Sequence, residues 1–335
     1  MVAPRAGRQH AGEVMSEIIV SGPAYVSAVD DSNTYLVQSN GIIYVESGGL
    51  ISGLVTIQPA GTVNVYSGGT TLDTVLTGSG SREFVAGIAD NTTISSGGYQ
   101  DDEGTATSTT ISSGGVQGIF GHGIASSTII AGGQQYVDNL CTATDTTISS
   151  GGVQSVAGTA NDTSVDGGKQ IVDGIASSTT INSGGTQTVD LPGIASGTTV
   201  NSAGLQIVAG MANDTMVNSG GLEEVYNGGI ANATTIGYLG FQDIFDHGIA
   251  NKTTIGYLGF QNVYVAGTAD KTTIDNGGSQ NVYGTADSSI ISSGGAENVF
   301  GGGNVSGSTI SSGGGEYIDR GGVAIGTTIA GGLEI

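Results

Sequence analysis

The stretch TTISSGGVQSVAGTA, residues 146–160, decides the fold, because the same order of residue types returns about every 16 to 20 residues along the chain. It joins a β-branched segment, a serine pair followed by Gly-Gly, and a segment in which apolar side chains alternate with others. The second glycine of each turn serves as an anchor, and seventeen anchors occur, at Gly41, Gly61, Gly80, Gly98, Gly115, Gly133, Gly152, Gly168, Gly185, Gly204, Gly221, Gly240, Gly259, Gly278, Gly295, Gly314 and Gly332. The pattern predicts a repeat array in which each coil packs against its neighbours.

The spacing of the anchors predicts that strands keep their register from coil to coil. Steps of 19 residues, as from Gly221 to Gly240, and of 17 residues, as from Gly278 to Gly295, are the commonest. Side chains alternate between the two faces of a strand, so a difference of two residues returns every later side chain to its original face. The extra residues follow the valine of the second apolar segment, where we expect a loop of variable length.

Each repeat is interpreted as a strand, a turn and a second strand. Thr-Thr-Ile is typical of a short strand, Gly-Gly of a tight turn, and x-Gln-x-Val of another strand. The isoleucines and valines would stack in two internal columns, exemplified by Ile148 and Val156, and the recurring alanine, as at Ala160, would occupy a narrow corner. We therefore predict an all-β fold, a parallel β-helix (solenoid) of about 17 coils of 16–20 residues.

A column of amide side chains lies two residues after the anchors and an even number of residues before the valines. These side chains should therefore face the interior, as the valines do. Its members are Gln100, Gln117, Gln135, Gln154, Gln170, Gln187, Gln206, Gln242, Gln261 and Gln280, with Glu223, Glu297 and Glu316 as substitutes. Stacked glutamines can hydrogen-bond amide to amide, which satisfies polar groups that would otherwise be costly to bury. We interpret the column as a structural ladder rather than a row of binding residues.

Three regions are expected along the chain. Residues 1–15 are predicted to be a disordered tail or a start-site artefact, because they contain no apolar run and end at a second possible start, Met15. Residues 16–36 have a looser apolar pattern and are predicted to form an N-terminal cap. Residues 37–335 are predicted to form the β-solenoid repeat domain, which stops inside a coil, so we expect a fragment of a longer protein.

The composition excludes several classes of partner. Seven Lys and Arg residues against 29 Asp and Glu give a net charge of −22, and no basic patch is available to bind nucleic acid. No stretch approaches the roughly 20 apolar residues of a membrane helix, so no membrane span is expected in this chain. Cys141 is the single cysteine, which excludes an intrachain disulfide. We expect no cofactor.

An enzyme is one alternative, since parallel β-helices also carry enzymes that act on polysaccharides. Such sites need carboxylates that converge on one face. Asp101, Asp102 and Glu103 form a run of three acids, but neighbours on a strand alternate faces, so we expect a solvated loop and no catalysis. His122 and His247 have no paired ligand at metal spacing, and the calcium-binding nonapeptide G-G-x-G-x-D is absent, so we expect no metal site.

The threonine pairs offer another alternative, an ice- or polysaccharide-binding solenoid. Such an activity would need ranks of threonine along one flat face, although β-branched threonine is also a common strand residue. The pairs are Thr92-Thr93, Thr109-Thr110, Thr146-Thr147, Thr179-Thr180, Thr198-Thr199, Thr234-Thr235, Thr253-Thr254 and Thr272-Thr273.

The repeat T-T-I-S-S-G-G-x-Q-x-V-x-x-G-x-A, seen at residues 110–117, 147–160 and 180–195, resembles the passenger repeat of AIDA-type autotransporter adhesins. The resemblance covers about residues 37–335. It implies a right-handed β-helix on the bacterial cell surface, or secreted, that mediates adherence, autoaggregation and biofilm formation at the outer membrane. It also implies O-glycosylation with heptose by a cytoplasmic heptosyltransferase before export. The partners it implies are that heptosyltransferase, a host-cell or bacterial surface and, through self-association, other copies of the chain.

In that family the acceptors are mostly serines of the repeat, which points to the turn before Gly-Gly in this chain. The candidate acceptors are Ser95, Ser96, Ser112, Ser113, Ser149, Ser150, Ser183, Ser202, Ser219, Ser292, Ser293, Ser311 and Ser312. A small hydroxyl in an exposed glycine turn would be accessible to a transferase, although serine also favours turns for conformational reasons alone. The coils at Gly240 and Gly259 depart from the pattern, because Gly-Tyr-Leu-Gly replaces the serines there. No export signal or translocator segment is recognised.

Overall fold

The computed structural model describes residues 16–331 and 333–335, which leaves the expected tail and the anchor Gly332 outside the described residues. It confirms the predicted fold class, since three parallel sheets form a β-solenoid of about 17 turns. The chain divides into two compact units, Met1–Ala125 and Ser126–Ile335. Within each unit, strands of the same type pair in parallel from one coil to the next.

Each coil but the last contains three short strands among the described residues, one in each sheet. The first strands are Ser16–Val20, Asn33–Val37, Val55–Ile57, Thr74–Thr77, Thr93–Ser95 and Thr110–Ser112, then Ile129–Ala131, Thr147–Ser149, Ser164–Asp166, Thr180–Ile181, Thr199–Val200, Met216–Val217, Thr235–Ile236, Thr254–Ile255, Thr273–Ile274, Ile290–Ile291, Thr309–Ser311 and Thr328–Ala330. The second strands are Pro23–Val26, Ile42–Val45, Thr62–Val65, Arg82–Val85, Tyr99–Asp102 and Val116–Ile119, then Gln134–Val137, Val153–Val156, Lys169–Val172, Thr186–Val189, Leu205–Val208, Leu222–Val225, Phe241–Ile244, Phe260–Val263, Ser279–Val282, Ala296–Val299, Gly315–Ile318 and Leu333–Glu334. The third strands are Val29–Asp30, Leu50–Ile51, Thr70–Leu72, Ile88–Asp90, Thr105–Thr107 and Ile124–Ser126, then Thr142–Thr144, Thr159–Asn161, Ile175–Ser177, Ile194–Ser196, Met211–Asn213, Ile230–Asn232, Ile249–Asn251, Thr268–Asp270, Thr285–Asp287, Asn304–Ser306 and Val323–Ile325.

The third strand was not foreseen, and the prediction that the recurring alanine sits at a corner was wrong. Ala160 lies in the middle of Thr159–Asn161, pairs with Ala143 and Ala176 in the adjacent coils, and is buried. Alanine has low strand propensity, so the pattern around it does not indicate a strand. Pairing in the parallel sheet overrides that preference, because each coil supplies the hydrogen-bonding edge for the next.

The core consists of stacked columns, as the periodicity predicted. Ile148 stacks on Val165 from the first strands, Val156 stacks on Val172 from the second strands, and all four side chains are buried. Full burial of one valine or isoleucine stabilises a fold by about 1.5–3 kcal/mol, so the repeated columns supply the main driving force for stacking.

The variable loop is confirmed between the second and third strands. Two residues, Ala157 and Gly158, connect Val156 to the next strand, whereas four residues, 226–229, connect Val225 to Ile230. The strands on both sides keep their register, since Leu222–Val225 pairs residue for residue with Leu205–Val208. The length difference therefore changes only the surface at this corner.

The two glycines of the turn are required for different reasons. Gly277 has a φ of +77°, the left-handed region that glycine adopts at little cost. At the anchor Gly278, a Cβ would lie 2.7 Å from the carbonyl oxygen of Ile255 in the preceding coil. The first glycine therefore allows the bend, and the second allows the coils to approach each other.

The amide column is confirmed as a structural ladder inside the solenoid. Gln261 Nε2 donates to Gln242 Oε1 at 2.7 Å, Gln280 Nε2 donates to Gln261 Oε1 at 2.7 Å, and all three side chains are buried. The first threonine of each pair belongs to this network, since Thr272 Oγ1 donates to Gln261 Oε1 at 3.1 Å. The amides are thus satisfied within the core, where an unpaired polar group would cost about 1–3 kcal/mol.

The predicted threonine ranks are wrong for half of their members. The first threonine of each pair, such as Thr272, is about 1% exposed and points into the solenoid, while its neighbour Thr273 lies on the outer face. Strand alternation requires this result, because consecutive side chains point to opposite faces. One outer row of threonine remains.

Residues 16–36, the expected cap, contain three strands that pair in parallel with the following coil. Ser16–Val20 pairs with Asn33–Val37, and Pro23–Val26 pairs with Ile42–Val45. The boundaries of the cap and of the repeat domain stay predictions.

Candidate functional site

The serine pairs lie at the turn between the first and the second strand of their coils. These turns stack, because the Ser96 backbone N–H donates to the Ser113 carbonyl at 3.1 Å and the Gly97 N–H donates to the Gly114 carbonyl at 2.8 Å. Repetition of this contact brings the candidate serines into a column along one corner within each unit. We call this feature the serine column.

The two serine positions of each turn differ in exposure. The first position is half-buried, and its hydroxyl is engaged in some coils: Ser95 Oγ donates to the Leu76 carbonyl at 3.3 Å, and Ser292 Oγ donates to Asp275 Oδ1 at 3.3 Å. The second position is exposed, and its members are Ser96, Ser113, Ser150, Ser183, Ser202, Ser219, Ser293 and Ser312. Within the described residues, none of these eight hydroxyl groups makes a hydrogen bond. The second position therefore presents a free nucleophilic oxygen at the surface.

Two consecutive coils interrupt the serine column with aromatic residues. Tyr238 and Tyr257 occupy the second position, are 51% and 60% exposed, and stack with their ring centroids 6.2 Å apart. Across the turn, Phe241 and Phe260 begin the second strands of the same coils and stack at 5.4 Å.

A longer row of rings follows the second strands of this unit and was missed by sequence reasoning. Its members are Tyr226, Phe245, Tyr264, Tyr283 and Phe300, one in each of five successive coils. Neighbouring ring centroids are 4.5–6.2 Å apart. The regular steps of 19, 19, 19 and 17 residues between these aromatics were the signal that could have revealed the row. Together with Phe241 and Phe260, this row forms what we call the aromatic face.

The run of three acids is not a solvated loop, so that prediction was wrong. Asp101 and Asp102 belong to the second strand Tyr99–Asp102, and Asp102 occupies the valine column between Val85 and Ile119. Burial raises the pKa of Asp102 well above its usual range, and the carboxyl group of Glu83 raises it further. Asp101 and Glu103 instead line a surface cavity of about 270 Å³. The three carboxyl groups therefore do not converge on one site.

Carboxyl groups also replace amides inside the ladder. Glu297 and Glu316 occupy adjacent rungs in register, and both are buried. Burial raises the pKa of Glu297 to about 8, and the adjoining Glu316 carboxyl contributes to the rise. Within the described residues, Oε1 of each side chain is buried without a hydrogen-bond partner.

His122 and His247 lie on the surface, as expected. His247 Nδ1 lies 3.7 Å from Asp246 Oδ1. No group of three or more potential metal ligands occurs in the part of the chain that the structure describes. That part also contains no helix long and apolar enough to cross a membrane.

Comparison with known proteins gives an informative match among solved structures. No protein-family model matches the chain, and the comparison with curated proteins gives no match. The solved structure of a TibC-catalysed hyper-glycosylated TibA fragment is 34% identical, covers 84% of this chain and 94% of its own, and superposes with a TM-score of 0.61. The Dettilon tailspike protein and the pneumococcal surface adhesin PfbA are 12% and 10% identical, with TM-scores of 0.17 and 0.18, and these values are too low to support an argument.

Proposed function

Because the chain belongs to the family of AIDA-type autotransporter adhesin passengers, we propose that it is a cell-surface or secreted adhesin that is O-glycosylated on the serines of its turns. The enzyme that attaches the sugar would be a heptosyltransferase that acts before export. The observation that carries the proposal is the serine column, which repeats an exposed hydroxyl on a stacked turn along each unit.

The geometry favours the second serine of each turn as the principal acceptor. A glycosyltransferase must bring the serine oxygen within bonding distance of the sugar carbon, and an exposed side chain without a hydrogen-bond partner meets this need at the lowest cost. At the first position, the hydroxyl is half-buried and can be engaged, as Ser292 Oγ is with Asp275. We therefore expect Ser293 to be modified in preference to Ser292.

Coexpression of the chain with a heptosyltransferase tests this proposal. Intact mass should increase in steps of one anhydro-heptose, and peptide mapping should place the sugar on the turn peptides. Ser293→Ala should remove the modification of its peptide, whereas Ser292→Ala, the matched control in the same turn, should retain it. An unmodified chain would refute the acceptor role, and equal loss in both variants would refute the preference for the second position.

Adhesion and autoaggregation follow as further parts of the proposal. Long repeat surfaces can associate through many weak contacts, so that avidity replaces strong individual sites. The net charge of −22 opposes contact between copies unless salt screens it. Autoaggregation should therefore increase with ionic strength in a bacterial settling assay, and a settling rate that falls with added salt would contradict this expectation.

The two alternative functions receive less support. A threonine-based ice- or polysaccharide-binding face would have a single outer row, because the first threonine of each pair is buried. An enzyme acting on polysaccharides would need converging carboxylates, and Asp102 points into the core while Asp101 points outwards.

A further inference from the structure

The aromatic face combines rings with a row of polar side chains. In the second strands of its coils, the outward position next to the rings holds Asp243, Asn262, Asn281 and Asn298. Rings flank this position on both sides at Asp243 and Asn262, and on one side at Asn281 and Asn298. Burial raises the pKa of Tyr264, and the nearby negative charge of Asp243 raises it further. The polar row therefore adjoins the aromatic row. The surface therefore alternates between apolar rings and hydrogen-bonding groups.

The amides of the polar row are held in a fixed orientation. Asn262 Nδ2 donates to Asp243 Oδ1 at 2.7 Å, Asn281 Nδ2 donates to Asn262 Oδ1 at 2.8 Å, and Asn298 Nδ2 donates to Asn281 Oδ1 at 2.9 Å. Each amide carries two N–H groups and two lone pairs, so Asn262 and Asn281 each keep one N–H group and one lone pair for another partner. Both N–H groups of Asn298 are engaged, since its Nδ2 also donates to Ser279 Oγ at 3.1 Å. The ladder thus presents a regular array of donors and acceptors at the coil spacing of about 4.8 Å.

We propose that the aromatic face binds a neutral polysaccharide chain that runs along the polar row. Pyranose rings combine apolar C–H surfaces with a rim of hydroxyl groups. The C–H surfaces can contact the outward edges of the stacked rings, and the hydroxyl groups can hydrogen-bond to the polar row. The proposal does not depend on modification of the serines.

The charges around the face select a neutral polymer over the other candidates. Burial and mutual repulsion raise the pKa of Glu224, and Asp243 lies beside it in the next coil. A second copy docked face to face in parallel would bring these carboxyl groups together, and an anionic polysaccharide would meet the same repulsion. Tyr238 and Tyr257 replace the second-position serines in two of the coils, so no serine-linked sugar at those turns would obstruct the face.

Affinity electrophoresis of the unmodified full chain tests the proposal. Native gels would contain hydroxyethyl cellulose, galactomannan or dextran as neutral probes, and alginate as the anionic probe. We expect at least one neutral polymer, and not alginate, to retard the protein. The double variant Phe260→Ser, Tyr264→Ala uses residue types that other coils carry at these positions, as at Ser279 and Ala209, and should weaken binding by about tenfold or more.

Tyr136→Ser is the matched control, because Tyr136 is an exposed ring on a second strand outside the aromatic face. It should leave the retardation unchanged, and circular dichroism should show that all variants remain folded. Absence of retardation by every neutral polymer would overturn the proposal, as would equal retardation of the double variant and the unsubstituted chain. Sedimentation velocity would reveal any concentration-dependent self-association of the unsubstituted chain. If the double variant loses that self-association while polymers retard neither protein, the aromatic face contacts a second copy and the proposal is also overturned.

Discussion

Replacing Glu297 by glutamine is expected to stabilise the coils that follow Gln280, because it restores the interrupted amide ladder. Ser289 Oγ already donates to Gln280 Oε1 at 3.1 Å, and in other rungs the next glutamine donates to this same oxygen. Glu297 places a carboxyl oxygen there, and its Oε1 is buried without a partner among the described residues. Glutamine at this position would supply the missing N–H and would not titrate.

The size of the effect follows from the pKa of Glu297. Burial raises this pKa from 4.5 to about 8. Between these values the folded state holds a proton that the unfolded state releases, so the free energy of unfolding falls as the pH rises. Each pH unit costs about 1.4 kcal/mol, which gives a loss on the order of 3 kcal/mol at pH 7 relative to acid conditions. Glutamine should remove this loss and add a hydrogen bond of about 1 kcal/mol.

The assay combines urea denaturation with amide hydrogen exchange. Denaturation followed by circular dichroism, at several values from about pH 5 to about pH 8.5, should show falling stability for the unsubstituted chain and a flatter profile for Glu297→Gln. Hydrogen exchange compared at one pH should localise the added protection to Ala296–Val299 and Gly315–Ile318.

Glu103→Gln is the control, because Glu103 is exposed and lies outside the ladder. It removes one negative charge and should leave the pH profile of the unsubstituted chain unchanged. Parallel pH profiles for Glu297→Gln and the unsubstituted chain would refute the assignment of the pH dependence to the buried carboxyl group.

Three further substitutions test the core and the turns. Asp102→Val should stabilise the first unit by about 1–3 kcal/mol at neutral pH. The reason is that Asp102 occupies the valine column of the second strands and its buried carboxyl group has a raised pKa. A loss of stability in urea denaturation would contradict this prediction. Gln261→Leu should lower the free energy of unfolding by about 2–4 kcal/mol, since it removes two ladder hydrogen bonds of 2.7 Å and leaves buried amide groups unpaired. An unchanged denaturation midpoint would be inconsistent with a structural ladder. Gly277→Ala should lower the melting temperature more than the matched control Gly184→Ala. Both glycines have positive φ, but only a Cβ at position 277 would lie 2.5 Å from the Tyr257 ring. Equal thermal shifts for the two variants would argue against the clash.

Much of the fold could be predicted because the repeat encodes it many times. The isoleucine and valine columns, the amide ladder and the variable loop each depend on side-chain alternation and on steps that differ by two residues, which can be counted in the sequence. The third strand could not be predicted, because Ala160 and its equivalents have no local preference for a strand. Its formation depends on the edges that adjacent coils provide.

The candidate site was located from the sequence only to the level of the turn. The Ser-Ser-Gly-Gly pattern identifies where acceptors would lie, but the pattern contains nothing that distinguishes Ser292 from Ser293. The difference arises because the first position faces the neighbouring coil and the second points to solvent. The run at Asp101 and Asp102 was misread for a related reason, since local polarity suggested a loop while the register of the sheet placed Asp102 in the core.

The sequence by itself determined that this protein is a parallel solenoid with internal apolar columns, because a fixed period and strand alternation leave few other ways to bury those residues. Only the tertiary structure decided which polar groups are buried and which outer side chains form continuous surfaces. The first threonines and Asp102 became internal, and the rings from Tyr226 to Phe300 became one row. The physical reason is that stacking of coils brings together residues 16 to 20 positions apart, and neither their burial nor their contact is set by local sequence.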